Sequence, residues 1–388
     1  MRRLLVPHLA LWIVGGALIR VAIVPPEVCP VATATEARQA AISAGDWLAR
    51  SIGEDGRFAY GYRRDVDEVP TEYNSARHTA AMLTLYQLAE AGEQRFVAEG
   101  DRALRYVLDN LIAAGGRTAF AEGGGDAPLG ANGLLVAALV TRRVATGDPS
   151  FDGLMIDIGH FLVGQQQENG SMLAFWDRQT EAPLPDTYGI FATGEAFWGM
   201  TLIDGQFPHL DFRDPALSVA YYLARDRDRL EGQTSRYPDH WAAYGMAELG
   251  PDLLDNELIA NARRLAGFFS IRLRVESQRT GEGVNVLVRG WPGPPSGVGT
   301  AGEGMAALWR LSAADTRLAD MRAGMEDDLR CYAGMMVEGQ IGAEEAAAYD
   351  RPGLGEGAWF YRDYSQMDDQ QHNISALLAV FPLLEEAS

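Results

Sequence analysis

Apolar residues recur with the α-helical period of about 3.6 residues from Thr35 to the end of the chain, and segments rich in Gly, Pro and Asp interrupt them. The run most typical of a β-strand, residues 284–288, is short. The pattern therefore predicts an all-α fold. Its twelve helices are expected at residues 36–51, 73–91, 95–114, 129–146, 151–167, 189–205, 211–230, 240–250, 256–276, 296–313, 316–338 and 370–387.

Alternate helices begin in the same way, with a polar pair followed by apolar or small residues. The copies are Arg77-His78, Ala131-Asn132, Gly194-Glu195, Asp239-His240, Gly302-Glu303 and Gln371-His372. The helices between them carry more charge, which is typical of an outer layer. Matching turns at residues 53–60 and 167–176 support a repeated helical hairpin.

An outer helix at the start of this region and an inner helix at its end complete six pairs. A ring of six hairpins then closes without leaving an apolar flank exposed. The sequence predicts an (α/α)6 toroid that forms one domain over residues 35–388.

The inner helices of such a ring run in parallel, so their N-terminal ends share one rim, where free N–H groups favour acceptor or anionic groups. The loops at this rim carry aromatic and acidic residues, the combination that carbohydrate binding requires. Three of the six histidines of the chain fall at helix starts. We predict the catalytic residues Glu195, Glu303, His78, His240, Asp239 and His372. We predict substrate contacts from Tyr73, Asn74, Arg77, Asn132, Tyr188, Trp241, Trp291, Asp368 and Asp369.

Three kinds of chemistry fit these residues. Glu195 and Glu303 approach across the ring axis, and paired carboxylates support glycoside hydrolysis, with Asp239, Asp368 and Asp369 as competitors for either role.

A lyase or epimerase would instead use residues at the start of the second predicted helix. Asn74 and Arg77 would neutralise a uronate carboxylate while Tyr73 or His78 moves a proton. Tyr73 and Asn74 equally suit a loop plug and a helix N-cap.

A metal ion held by His78, His240, His372 and the two glutamates is the third alternative. The chain lacks an HxH or HExxH pattern, so we expect no cofactor, with a metal at these histidines as the minor alternative. A purely structural role of the polar residues as helix caps is a further alternative.

Composition narrows the classes of function. The 388-residue chain has a net charge of −20, which opposes binding to nucleic acid. All 33 basic side chains are arginine, so Schiff-base chemistry on a lysine and a Walker A phosphate loop are excluded. Cys29 and Cys331 belong to no CxxC motif, and the sequence does not favour a disulfide between them.

The N-terminal segment, residues 1–34, has the features of a signal anchor. Arg2 and Arg3 precede a mainly apolar stretch at residues 4–24, whose length suits a transmembrane or signal-anchor helix. We predict that it anchors the protein in a membrane with the body on the extracytoplasmic side, periplasmic or extracellular. A cleaved signal peptide is the alternative.

The chain resembles the six-hairpin (α/α)6-toroid superfamily of carbohydrate-active proteins over residues 35–388. The likeness is carried by the architecture and the helix-start residues. It extends only loosely to Arg289-Gly290-Trp291, which is similar to the Arg-Gly-x-Gly-Trp segment of unsaturated uronyl hydrolases. A lone Cys331 does not supply the zinc site of lanthionine-cyclase-like toroids, and Asp368-Asp369 matches the Asp-rich motif of terpene-cyclase-like toroids only in part.

This resemblance implies a polysaccharide substrate and acid–base catalysis at the rim. We therefore predict a membrane-anchored enzyme acting on a cell-envelope or exported polysaccharide, with glycoside hydrolysis favoured over lyase or epimerase chemistry. A non-catalytic subunit that binds a polymer within a membrane assembly is the alternative from another class.

Overall fold

The computed structural model describes residues 2–18, 27–232 and 238–386. Its α-helices, numbered in chain order, are α1 (Arg2–Leu18), α2 (Ala34–Ser51), α3 (Ser75–Glu90), α4 (Phe96–Asp109), α5 (Leu129–Thr146), α6 (Asp152–Gly164), α7 (Ala192–Gln206), α8 (Arg213–Arg225), α9 (Arg227–Leu230), α10 (His240–Leu249), α11 (Asn256–Glu276), α12 (Gly283–Arg289), α13 (Pro295–Ala314), α14 (Arg322–Gly339), α15 (Ala343–Ala346) and α16 (Met367–Glu385). Turns of 3-10 helix lie at Glu122–Gly124, Pro251–Leu253, Thr316–Met321 and Pro352–Leu354.

The long helices form two concentric layers. Inner helices α3, α5, α7, α10, α13 and α16 each pack against the next, and α16 packs back against α3, so the ring is closed. Helices α2, α4, α6, α8, α11 and α14 surround it. This arrangement is the predicted (α/α)6 toroid, with its apolar core between the two layers.

Small residues allow the inner helices to approach closely, as their composition suggests. A Cβ atom added to Gly199 of α7 would lie 2.7 Å from the backbone oxygen of Gly133 in α5. In α13, a Cβ atom on Gly304 would collide with the ring of Phe269 from α11. Packing at this distance leaves no room for a methyl group.

A repeated turn connects each of three outer helices to the rim. Gly56, Gly170 and Gly357 all have positive φ angles, of 84°, 85° and 82°. At each, a Cβ atom would collide with a backbone oxygen of the next outer helix, in α4, α8 and α2 respectively. The sequence predicted that the first two turns are equivalent, and the structure adds the third.

Short strands connect the loops. They are β1 (Gly61–Arg63), β2 (Leu111–Ala114), β3 (Arg117–Phe120), β4 (Ala127–Pro128), β5 (Phe175–Asp177), β6 (Ala182–Pro183) and β7 (Tyr364–Gln366). Strands β1 and β7 pair antiparallel and join the loop before α3 to the loop before α16. Strands β2 and β3 form a hairpin, and β4, β5 and β6 form an antiparallel sheet.

Several predicted helices differ from the structure. Residues 211–230 form the two helices α8 and α9, and residues 316–321 are a 3-10 turn before α14. The helix expected at 95–114 ends at Asp109, because residues 111–114 turn back in the β2–β3 hairpin around Gly115 and Gly116, both of which have positive φ. Residues 284–288, the run most typical of a β-strand, belong to helix α12, which was not among the twelve predicted helices. A strand there would need a partner for its backbone groups, whereas a helix satisfies most of its own.

The N-terminal segment shows two features. None of the helices in the described ranges is both long and apolar enough to cross a membrane. The predicted anchor covers residues 4–24, and residues 19–24 lie outside the described part of the chain. Cys29 is disulfide-bonded to Cys331 of α14, a pairing that the sequence did not favour. The fold brings together two cysteines that are 302 residues apart.

Candidate active site

A cavity of about 980 Å³ opens at the N-terminal ends of the inner helices, on the rim where the sequence predicts the site. The predicted site residues that line it are Asn74, Arg77, Glu195, His240, Trp241, Asp368 and His372. Arg272 and Glu276 of the outer helix α11 and Arg279, three residues after its end, also line the cavity and were not predicted. The i,i+4 spacing of Arg272 and Glu276 on one helix is the sequence signal that could have found this pair.

His372 is fixed by the buried carboxylate of Glu303. Its Nδ1 lies 2.6 Å from Glu303 Oε2, and Gln371 Nε2 donates to Glu303 Oε1 at 3.3 Å. Burial lowers the pKa of His372, but the Glu303 carboxylate outweighs that effect, and the pKa lies above its ordinary value. The contact with Glu303 therefore favours the protonated form of His372.

His240 lies beside this pair with the opposite electrostatic balance. Its ring centroid is 5.0 Å from that of His372, and its Nε2 is 3.6 Å from Glu303 Oε2. Neither ring nitrogen has a hydrogen-bond partner among the described residues, although the side chain is buried. Burial, with a smaller contribution from His372, holds the pKa of His240 well below its ordinary value. His240 is therefore neutral.

Trp241 positions both imidazole rings. Its ring centroid lies 4.2 Å from that of His240 and 5.8 Å from that of His372. Trp241 also stacks on Trp198, with centroids 5.3 Å apart, so the aromatic cluster restricts the rotation of the two histidines.

Arg77 and Asp368 continue the cavity wall next to His372. Arg77 Nε lies 3.3 Å from Asp368 Oδ1, and its NH1 donates to Gln366 Oε1 at 2.6 Å and to the hydroxyl of Tyr60. Asp368 Oδ1 in turn lies 3.7 Å from His372 Nε2. A guanidinium, a carboxylate and an imidazolium therefore follow one another along the wall.

The buried carboxyl group of Glu195 is mainly protonated at pH 7. Burial raises the pKa of Glu195 to about 8, and the nearby Asp239 carboxylate adds to the shift. Gly130 of α5 leaves the space for the carboxyl group, because a Cβ atom there would collide with Glu195 Oε2. Glu195 can therefore donate a hydrogen bond or a proton into the cavity.

The structure places His78 outside the cavity lining. Its Nε2 donates to the backbone oxygen of Ala103 at 3.1 Å, and its Nδ1 accepts from the Tyr73 hydroxyl at 2.6 Å. Tyr73 itself accepts from the Phe58 N–H at 3.0 Å. Burial lowers the pKa of His78 to about 4. In this geometry both His78 and Tyr73 are engaged in contacts that connect α3 to its surroundings, so we do not include them in the chemistry proposed below.

Asn132 and Asp239 also form hydrogen bonds that stabilise the fold. Asn132 accepts from the Phe120 N–H and donates to the Phe120 and Pro128 carbonyls, at 2.7, 3.0 and 2.8 Å. Asp239 is the N-cap of α10, where it accepts from the Ala242 N–H at 3.2 Å, and it pairs with Arg227 at 2.5 Å. We therefore do not retain Asn132 or Asp239 as groups that touch substrate.

Asn74 and Asp369 are also caps. Asn74 accepts from the Arg77 N–H at 3.0 Å while still lining the cavity, so it serves as an N-cap at the site. Asp369 accepts from the N–H groups of Ser296 and Gln366, at 2.9 and 3.0 Å, and so ties α13 to α16. Burial raises the pKa of Asp369 to about 7.

Two predicted aromatic contacts are not part of the cavity lining. Tyr188 and Trp291 are both partly exposed, and neither lines the cavity. The ring of Trp291 is covered on one side by the guanidinium of Arg362, at 5.2 Å. The sequence placed them in rim loops, but their distance from the ring axis depends on how those loops fold.

One group of residues has the composition of a metal site. The ligand atoms of His240, Glu303 and His372 all lie within 4.8 Å of one another. His78, the third histidine of the predicted alternative, is not among them. Two imidazoles and one carboxylate are ligands that suit a transition metal such as zinc.

The fold is shared with solved structures of carbohydrate-active proteins. The cellobiose 2-epimerase from Spirochaeta thermophila DSM 6192 is 15% identical, with a TM-score of 0.63 over 91% of this chain and 96% of that chain. A family 76 glycoside hydrolase from a bovine Bacteroides thetaiotaomicron strain is 13% identical, with a TM-score of 0.62 over 91% of this chain and 78% of that chain. An unsaturated glucuronyl hydrolase specific for heparin is 12% identical, with a TM-score of 0.58 over 89% and 96%.

No protein-family model matches the sequence, and a search of curated proteins gives no match. At these identities the structural similarities establish the fold and not the reaction. The chain therefore has the (α/α)6-toroid fold of carbohydrate-active proteins, among them glucuronyl hydrolases, family 76 glycoside hydrolases and cellobiose epimerases.

Proposed function

We propose that this protein is a carbohydrate-active enzyme that moves a proton at the carbon next to a sugar carbonyl, which is epimerase or isomerase chemistry. The observation that carries the proposal is the pair formed by neutral His240 and protonated His372 at one cavity. A base and an acid with opposite pKa shifts are the arrangement that general acid–base catalysis requires.

The reaction would begin when His240 accepts the proton from the carbon next to the carbonyl. The electrons of that C–H bond form a C=C bond and leave negative charge on the carbonyl oxygen, giving an enediolate. Neutral Glu195 and the guanidinium of Arg77 line the same cavity and would stabilise this charge.

His372 would then return a proton. Protonation on the opposite face of the same carbon restores the carbonyl group and gives an epimer. Protonation on the neighbouring carbon, with transfer of the remaining hydroxyl proton of the enediolate to its negatively charged oxygen, gives a keto isomer. His240 is left protonated and His372 neutral, and exchange with water restores the pair. Glu303 acts through His372 as a positioning residue.

Hydrolysis, which the sequence favoured, is the second candidate. The raised pKa of Glu195 suits a general acid, and Asp368 is the carboxylate in the cavity that contributes to the shift. Glu303 fits the second carboxylate role poorly, because it is fully buried and engaged by His372 and Gln371.

The setting of the reaction is also a proposal. A cavity of about 980 Å³ with aromatic and charged walls has room for one end of an oligosaccharide or polysaccharide. The Cys29–Cys331 disulfide favours an oxidising compartment outside the cytoplasm. We propose an envelope or exported glycan as substrate and residues 4–24 as the membrane anchor, with a non-catalytic subunit of a membrane assembly as the alternative.

We propose that no cofactor is needed, because Glu303 and His372 bond to each other directly. Activity that survives treatment with a chelator would support this proposal. Activity that is lost on chelation and restored by zinc would favour a metal at His240, Glu303 and His372.

The reaction can be tested in deuterated water with reducing oligosaccharides, by NMR and mass spectrometry. We expect deuterium to enter the carbon next to the carbonyl, and His240→Asn and His372→Asn to abolish this exchange. New reducing ends without exchange, lost in Glu195→Gln, would instead establish hydrolysis, and unsaturated ends would establish a lyase. If no sugar changes in any of these assays, the enzyme proposal is wrong.

A further inference from the structure

A cluster of uncovered apolar side chains lies beside the mouth of the cavity. This apolar rim patch consists of Ile271, Val275, Val284, Leu287, Val288 and Trp291. Exposed fractions reach 85% for Leu287 and 72% for Val284, and α12 has no buried residue at all. Single exposed apolar residues are ordinary, but several on adjoining segments indicate a contact surface.

Polar contacts hold α12 in this position. Arg279 Nε donates to the backbone oxygen of Arg289 at 3.0 Å. The side chain of Asn285 donates to the Gln278 carbonyl at 2.9 Å and accepts from the Thr280 N–H at 3.1 Å. The helix is thus attached to the chain that follows α11 by its polar groups, and its apolar side chains are left outward.

The charge around the patch differs from that of the whole chain. The charged groups on or against these segments are Arg272, Arg274, Arg279, Arg289 and Arg362 against Glu27, Glu276, Glu282 and Asp328. Five positive and four negative side chains give a local balance of +1, in a protein whose net charge is −20. Apolar side chains among arginines are typical of a surface that lies at the interface of a lipid bilayer.

The N-terminal segment of the chain contacts the C-terminal end of α11, close to the patch residue Val275. Glu27 pairs with Arg274 at 2.5 Å, and the Val28 N–H donates to Ser277 Oγ at 3.4 Å. The nine steps from Leu18 to Glu27 can span at most about 32 Å. The last residue of α1, whose apolar side chains are also exposed, must therefore lie within this distance of Glu27.

We propose that the apolar rim patch rests on the lipid bilayer. This inference rests on the proposed anchoring of residues 4–24 and adds a second contact, made by the folded domain. Ile271 and Val275 belong both to the patch and to the cavity lining, so the cavity would open at the lipid surface. The substrate class that fits such an opening is a glycan attached to a membrane lipid.

Fluorescent labelling of the full chain can test this contact, because both natural cysteines are in the disulfide and no free thiol competes. Single variants Ile13→Cys, Leu287→Cys and Val144→Cys would carry an NBD label in α1, in the patch and on the C-terminal turn of α5. Each labelled protein is incorporated into phosphatidylcholine–phosphatidylglycerol vesicles with and without doxyl-labelled lipid, which quenches only a label that touches lipid.

We expect quenching at positions 13 and 287 and none at 144. Adding Val284→Asp and Val288→Asp should abolish quenching at 287 while leaving it at 13. Quenching at 13 alone would keep the anchor and overturn the patch proposal. Quenching at 287 without quenching at 13 would support the patch and overturn the proposed anchor, and quenching at neither would overturn both.

Discussion

His240 and His372 belong to one cavity, yet their neighbours shift their pKa values in opposite directions. Glu303 contacts His372 Nδ1 and raises its pKa against the effect of burial. His240 has no such partner, so burial dominates and lowers its pKa. The acid His372 is lost as pH rises through its raised pKa, and the base His240 is lost as pH falls through its lowered pKa. The active range should therefore extend beyond the ordinary histidine value of about 6.5 on both sides.

Replacing Glu303 with Gln should narrow that range from the alkaline side. Without the carboxylate, burial dominates at His372 as well, so its pKa falls and the protonated form is lost at lower pH. We expect kcat/KM at neutral pH to drop by about 10²-fold or more, since general acid–base groups contribute about 10²–10⁴-fold. The measurement is the pH profile of kcat/KM.

Glu248→Gln is the matched control for that profile. Glu248 is another glutamate whose pKa burial raises, but it lies with Arg310 beside a separate small cavity. Its replacement should leave both limbs of the profile in place. An alkaline limb that does not move in Glu303→Gln would contradict the role of Glu303 in holding His372 protonated.

At the scale of elements, the repeated polar pair identified the inner helices but not which member of each pair faces the cavity. Successive residues in an α-helix differ by about 100° in direction, so a small rotation exchanges them. In α3, Arg77 lines the cavity and His78 turns outward to Ala103 of α4. In α16, Gln371 and His372 both line it. The rotation of each helix is set by packing against its outer partner, which a local sequence pattern does not contain.

The close contact between α5 and α7 gives a prediction at this scale. In Gly199→Ala, the new methyl group would lie 2.7 Å from the Gly133 carbonyl oxygen, so the two helices must separate. We expect a loss of about 1–3 kcal/mol in the free energy of unfolding, as for other overpacked sites. Activity should also fall, because α7 carries Glu195. Chemical denaturation and kcat would measure the two effects.

Gly205→Ala in the same helix provides the control. A Cβ atom at Gly205 has no neighbour within 4 Å, so only the gain in helix propensity remains. We expect this variant to be more stable by about 0.5–1 kcal/mol, with unchanged activity. Equal effects of the two substitutions would show that the α5–α7 contact is less restrictive than its geometry indicates.

At the scale of the whole molecule, two links join distant parts of the sequence beside the site. Strand β1 pairs with β7, so the loop before α3 is tied to the loop before α16. The Cys29–Cys331 disulfide ties the N-terminal segment to α14. The helical period is a property of the local sequence, so it predicts the helices from which the ring is built. It does not predict these links, because each depends on the closed ring that brings residues about 300 positions apart into contact.

The disulfide gives a prediction for the molecule as a whole. Its two cysteines are 302 residues apart in a chain of 388, so it closes a long loop and its main effect is to reduce the entropy of the unfolded state. Reduction should lower the free energy of unfolding by roughly 2–5 kcal/mol. It should also loosen the contact of Glu27 with Arg274, on the same helix as the cavity residues Arg272 and Glu276. Urea denaturation of the wild-type protein with and without reductant is the measurement.

The double variant Cys29→Ser/Cys331→Ser should match the reduced wild-type protein and be insensitive to reductant. If the oxidised and reduced proteins unfold at the same urea concentration, the disulfide does not stabilise the toroid, and the support that it gives to an extracytoplasmic location is removed.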